Sequence, residues 1–83
     1  VALTFPNPSR SYDTVKHCVW FWGYDNASEI TFLVEEHVLK HFESAIGPDE
    51  ADVLAVFDRH RDQILEIARA RYGEGQQKIY ALH

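Results

Sequence analysis

The chain has 83 residues, 46% hydrophobic and 25% charged, with a formal net charge of −5 at pH 7. That length holds one domain, residues 1–83, of ordinary globular composition, and burial of only ~63% of the unfolded surface leaves a thin stability margin that a partner surface would widen. Neither half of the chain is basic, so nucleic acid and anionic membrane surfaces are excluded as expected partners.

In chain order, Leu3-Thr4-Phe5 is a short apolar stretch stopped by Pro6. Residues 2–5 are predicted as an edge strand, and 6–14, opening with Pro6-Asn7-Pro8-Ser9, as a connection. Residues 17–22 form the strongest strand candidate, with Val19, Trp20, Phe21 and Trp22 all suited to a pleated surface. Gly23-Tyr24-Asp25-Asn26 signals a turn, and residues 29–35 give the return strand of a hairpin whose loop exceeds two residues. Strict alternation puts Ile30, Phe32 and Val34 on one face with Val19 and Phe21. The opposite face then carries Cys18, Trp20, Trp22, Thr31 and Leu33.

Val38, Leu39 and Phe42 make a helical apolar patch, predicting a short helix over 36–42. Gly47-Pro48 breaks the chain, and Asp49, Glu50 and Asp52 suit the positive end of the next helix. The stripe Val53, Phe57, Ile64, Ala68 and Tyr72, widened by Leu54 and Ile67, predicts a helix over 49–72. Arg69 and Arg71 suit its C-terminal end, and Gly73 its termination. Such a helix is roughly 36 Å long, too long for so small a domain, so a kink or an overhanging end is expected. Residues 78–82 alternate as a last strand. The expected fold is α+β: a small antiparallel sheet of about four strands, with one short and one long helix packed on one face.

Three segments in this order resemble a known family. They are residues 3–13 (Leu3-Thr4-Phe5-Pro6-Asn7-Pro8-Ser9-Arg10-Ser11-Tyr12-Asp13), Phe21-Trp22-Gly23-Tyr24-Asp25, and Phe57-x-x-His60-Arg61-x-x-Ile64. The family is that of small bacterial proteins described as domain of unknown function 1488. The resemblance spans nearly the whole chain and departs at His60, where the family pattern carries Asn. It implies a single soluble α+β domain and carries no activity, cofactor or catalytic residue.

The candidate sites follow from the residues themselves. Trp20 and Trp22, with Leu33 near them, form an apolar patch wherever nothing covers their sheet face. The cover is either the chain itself or a partner, a second copy (a homodimer) or an unknown protein. His60 and Arg61 interrupt the apolar stripe of the long helix. Either Arg61 lays its stem over the core or pairs with a carboxylate such as Asp13, Glu35 or Asp58, or the two residues bind a small anionic ligand.

The remaining chemistry is sparse. His37 and His41 stand at i, i+4 without the further ligands a metal site needs, so no metal is expected. Cys18 is the single cysteine: it makes no intramolecular disulfide, which points to the reducing cytoplasm, and no base stands by motif to activate it. Glu35-Glu36, Asp49-Glu50 and Asp58 with Asp62 read as solvated carboxylates. Gly73-x-Gly75 is a helix-end turn, not a phosphate cradle. No apolar run approaches 18 residues and no charged leader precedes an apolar stretch, so neither a membrane span nor a signal peptide is expected. The expectation is a non-catalytic interaction module without cofactor, using the Trp20/Trp22/Leu33 face, with the His60/Arg61 anion site as the alternative.

Overall fold

Strands form in the computed structural model, which describes residues 3–72 and 79–82, where aromatic and β-branched residues cluster. They are β1 (Leu3–Thr4), β2 (Arg10–Asp13), β3 (Cys18–Asp25), β4 (Ser28–Glu35) and β5 (Ile79–Leu82). β3 is the hub: one edge pairs antiparallel with β4, and the other holds β2 beside residues 18–21 and β1 beside 24–25. β4 then pairs with β5 in parallel, so the sheet has five strands and is mixed.

The α+β class, and helices on one face, are as the sequence predicts. Three details differ. Residues 10–13, read as connection, make β2, because Pro8 ends the turn chemistry two residues earlier and leaves Tyr12 free to pair with Val19. The hairpin loop is two residues, since β3 and β4 extend until Asp25 faces Ser28. Asn26, at φ 56°, supplies the left-handed conformation that the tight reversal needs. The last strand is parallel because three helices intervene before the chain returns to the sheet.

The helices are α1 (Glu36–Leu39), α2 (Glu50–Arg59) and α3 (Arg61–Tyr72). The long predicted helix is broken into α2 and α3, so of the two outcomes its length allowed, a kink or an overhanging end, the first is found. The break falls at His60, whose backbone leaves the helical region at φ −110°, ψ 18°. α1 stops at Leu39, so His41 lies beyond it and the predicted i, i+4 histidine face does not form.

The core lies on one side of the sheet. Val19 and Phe21 of β3, Ile30, Phe32 and Val34 of β4, and Tyr80 and Leu82 of β5 face Val38, Leu39, Val53, Val56, Phe57, Ile64 and Ala68 from the helices. Phe21 stands at its centre, 5.4 Å from Phe32 and 5.3 Å from Phe57 between ring centroids. Gly23 shares this face, and a Cβ there would stand 2.8 Å from the Phe5 ring. The missing side chain is what lets Phe5 pack against Phe21 and Phe32. Lys78, Gly73 and Gly75 lie outside the described residues.

Candidate functional site

The pleat sends alternate residues to the face that no described helix covers. The register orders them in rows across the sheet: Asp13, Cys18 and Glu35; Ser11, Trp20, Leu33 and Ala81; Trp22, Thr31 and Ile79; then Thr4, Tyr24 and Glu29. The two middle rows are apolar and the two end rows carry the charge. Trp20, Trp22, Thr31, Leu33 and Ala81 are half-buried, and Ile79 is 53% exposed. The structure therefore brings Trp20, Trp22 and Leu33 together on one face that no described helix covers.

Trp20 is held from the β2–β3 turn. Its indole N–H donates to Asp13 Oδ2 at 3.2 Å, and Lys16 Nζ sits 5.5 Å from the ring centroid. Asp13 Oδ1 accepts from the amides of Val15 and Lys16 at 2.9 and 3.0 Å. These donors, the Lys16 amide first and the Trp20 indole next, hold the Asp13 carboxyl below its ordinary value. At the other end Tyr24 donates to Glu29 at 2.9 Å. Cys18 is buried beside Asp13, Lys16 and Glu35, and burial pushes its thiol up, away from the reactive thiolate.

His60 and Arg61 have partners within the chain. His60 Nε2 lies 2.9 Å from Glu43 Oε2 and its ring stacks on Phe42 at 5.1 Å. Arg59 grips the same carboxylate with two bonds of 2.7 Å. That grip, foremost the Arg59 bonds, lowers the Glu43 carboxyl to about 2. Arg61 lies over the Phe57 ring and donates to the Asn7 carbonyl at 3.3 Å, so its partner is not Asp13, Glu35 or Asp58. His60 thus already faces an anion from within the chain, the Glu43 carboxylate.

A cluster that local spacing could not reveal joins β2, the β2–β3 turn and α1. Tyr12 donates to Glu36 Oε2 at 2.5 Å and lies 3.4 Å from His17 Nδ1. The Glu36 bond pushes the phenol up to about 12. His17 adopts a left-handed φ of 53°, and its carbonyl accepts from the Glu36 amide at 2.9 Å. An open cleft of about 390 Å³ beside it is lined by Lys16, His17, Glu35, Glu36, His37 and Lys40. His37 faces Glu35 at 3.4 Å. Among the described residues no three His, Cys, Asp or Glu side chains are placed to share a metal ion. No described helix is long and apolar enough to cross a membrane.

The described residues thus form a small α+β protein: a mixed five-stranded sheet with its described helices on one face and the Phe21-Trp22-Gly23-Tyr24-Asp25 segment in its hub strand. The family described as Protein of unknown function (DUF1488) matches residues 3–83, and the chain belongs to it. Among solved structures it is similar to a protein of unknown function from that family in Shewanella loihica PV-4, determined at 1.60 Å. The two share 17% identity with a TM-score of 0.84, over 96% of this chain and 90% of the other. At that identity the likeness shows the fold. No curated protein matches this chain.

Proposed function

We propose that the chain is a non-catalytic interaction module and that its working surface is the helix-free sheet face. One observation carries this: Trp20, Trp22 and Leu33 share a face that no described helix covers, with Ile79 beside them 53% exposed. Contiguous apolar surface with large aromatic side chains is what protein partners bury. The alternative, a small anionic ligand at His60 and Arg61, would have to displace Glu43, which is already gripped there. The proposal includes a bacterial cytoplasmic setting. It is supported by the lone, buried Cys18 and by the Shewanella relative.

The test is capture of a partner, the same chain or another, from extract of the native cell. Binding is expected to be lost with Trp22→Ser and kept with Arg61→Leu. Capture that Trp22→Ser leaves intact would overturn the proposal.

A further inference from the structure

We infer that the cleft between the β2–β3 turn and α1 is a binding site for a small phosphate-class anion, held by Lys16, His17, His37 and Lys40. The site is separate from the sheet-face reading and does not depend on it. The cleft, about 390 Å³, falls within the range of small-ligand sites. The chain is acidic overall and has three lysines. The two described ones, Lys16 and Lys40, are far apart in sequence yet line this one cleft together with two histidines. The fold joins them: the His17 carbonyl accepts from the Glu36 amide and Tyr12 donates to the Glu36 carboxylate, which docks the turn on α1. Arg10, Arg59 and Arg69 are each paired with a carboxylate of the chain, Asp58, Glu43 and Glu66. Neither Lys16 nor Lys40 forms such an ion pair among the described residues. Lys16 Nζ lies over the Trp20 ring, a contact that leaves its charge unneutralised.

Two carboxylates share the lining, and both are engaged. Glu36 Oε2 accepts from Tyr12 at 2.5 Å and lies 3.5 Å from His17 Nδ1. Glu35 Oε2 lies 3.4 Å from His37 Nδ1. The other titratable groups near the histidines are Tyr12, whose phenol is pushed up to about 12 and so keeps its proton, and Asp13 and Glu50 farther out. The Asp13 oxygens are taken by the Val15 and Lys16 amides and the Trp20 indole. With both imidazoles neutral, the lining sets two lysines against two glutamates. Each imidazole that takes a proton adds a positive charge, and imidazole changes charge between about pH 8 and 5. Occupancy by an anion therefore rises as pH falls through that range. A phosphate keeps its second negative charge down to about pH 6, so site and ligand match best just above it. Lysine meets phosphate as a point charge, whereas a carboxylate is best taken by the planar fork of arginine, which this lining lacks.

His17 supplies an independent reason. It sits at φ 53°, in the left-handed region, where a residue with a Cβ carries a steric cost and glycine does not. Its bond to the Glu36 amide uses the carbonyl alone, so glycine would keep it. What glycine would lose is the imidazole, the part that lines the cleft.

Amide NMR titration of the full chain with inorganic phosphate, glycerol phosphate and sulfate tests this, with sodium chloride at matched ionic strength as the reference. Saturable shifts are expected at residues 16–17 and 35–40, with half-saturation on the order of 10 mM because the lining side chains are exposed. Sulfate stays doubly charged throughout, so its binding reports the protein's own titration and should tighten by about threefold or more from about pH 8 to pH 6. Equal binding of phosphate and its ester assigns the site to the free ion, and tighter binding of the ester assigns it to a phosphorylated small molecule; either supports the inference. The double variant Lys16→Gln with Lys40→Gln is expected to weaken binding by about tenfold or more. His17→Gly is expected to melt at or above the wild-type temperature while weakening binding more at pH 6 than at pH 8, which a folding defect would not produce. Shifts that chloride reproduces, that map elsewhere on the chain, or that survive the double lysine variant would overturn the inference. So would a His17→Gly chain that binds like wild type at pH 6.

Discussion

Glu43 joins the loop after α1 to the break between α2 and α3 through Arg59 and His60. Its carboxyl sits at about 2 against an ordinary 4.5. A carboxyl depressed in the folded state stabilises above its unfolded value and loses that contribution as pH falls through its folded value. The melting temperature of Glu43→Gln should therefore lie a few degrees below wild type at pH 7, and the gap should close as pH drops from 4.5 toward 2. The contribution is modest because the pair is partly exposed. Asp13 makes a second residue-scale prediction. In Asp13→Ala the amides of Val15 and Lys16 lose their acceptor, so their hydrogen exchange should accelerate while that of β4 stays slow. Neither role was legible in the sequence. From sequence Asp13 is one of three carboxylates within reach of Arg61 and Glu43 carries no signal, because the fold and not spacing brings each to its partners. His60 and Arg61 were visible as polar interruptions of an apolar stripe, but which groups would satisfy them was not.

Periodicity carried furthest at the level of elements. The alternation in β3 and β4 assigns Val19, Phe21, Ile30, Phe32 and Val34 to the core face and Trp20, Trp22 and Leu33 to the other, and the register agrees. The strong four- and seven-residue spacing likewise marks the helical stripe, while its length left a kink and an overhanging end open and the break at His60 decides between them. What failed was short or long-range. β2 is four residues long and finds its pattern only in β3, and the direction of β5 depends on how helices stack between it and β4. Gly23-Tyr24-Asp25-Asn26 has the composition of a turn, yet Gly23 lies inside β3 and makes room for Phe5. Gly23→Ala should therefore cost about 1–3 kcal/mol through overpacking against that ring, read as a lower urea midpoint with unchanged slope.

Among the described residues the molecule has one core and one sheet face that no helix covers. At ~0.05–0.15 kcal/mol per residue, its total stability is of the order of 4–12 kcal/mol. Phe57 is fully buried at the centre of the core, and Phe57→Ala should remove about 3–5 kcal/mol of that, leaving the chain near its unfolding threshold. Leu33→Ala, on the other face, should cost about 1 kcal/mol or less, so changes there report on association and not on folding. Urea denaturation of the two variants side by side checks the contrast.

The parallel pairing of β5 also sets an order of events. Residues paired across the β3–β4 hairpin are 3 to 17 positions apart, whereas Thr31 and Ile79 are 48 apart. Closing the longer loop sacrifices more chain entropy before any contact rewards it, so the hairpin nucleates and β5 docks late. On the ribosome the delay is absolute, because Tyr80 and Leu82 are synthesised after every helix they pack beneath. Until they emerge, the edge of β4 has no neighbour and Phe32, stacked on Phe21, lacks its second stacking partner, Tyr80. The nascent chain thus presents an unpaired strand edge beside the same sheet whose outer surface is already apolar, and that interval is when it is most exposed to mispairing with other chains.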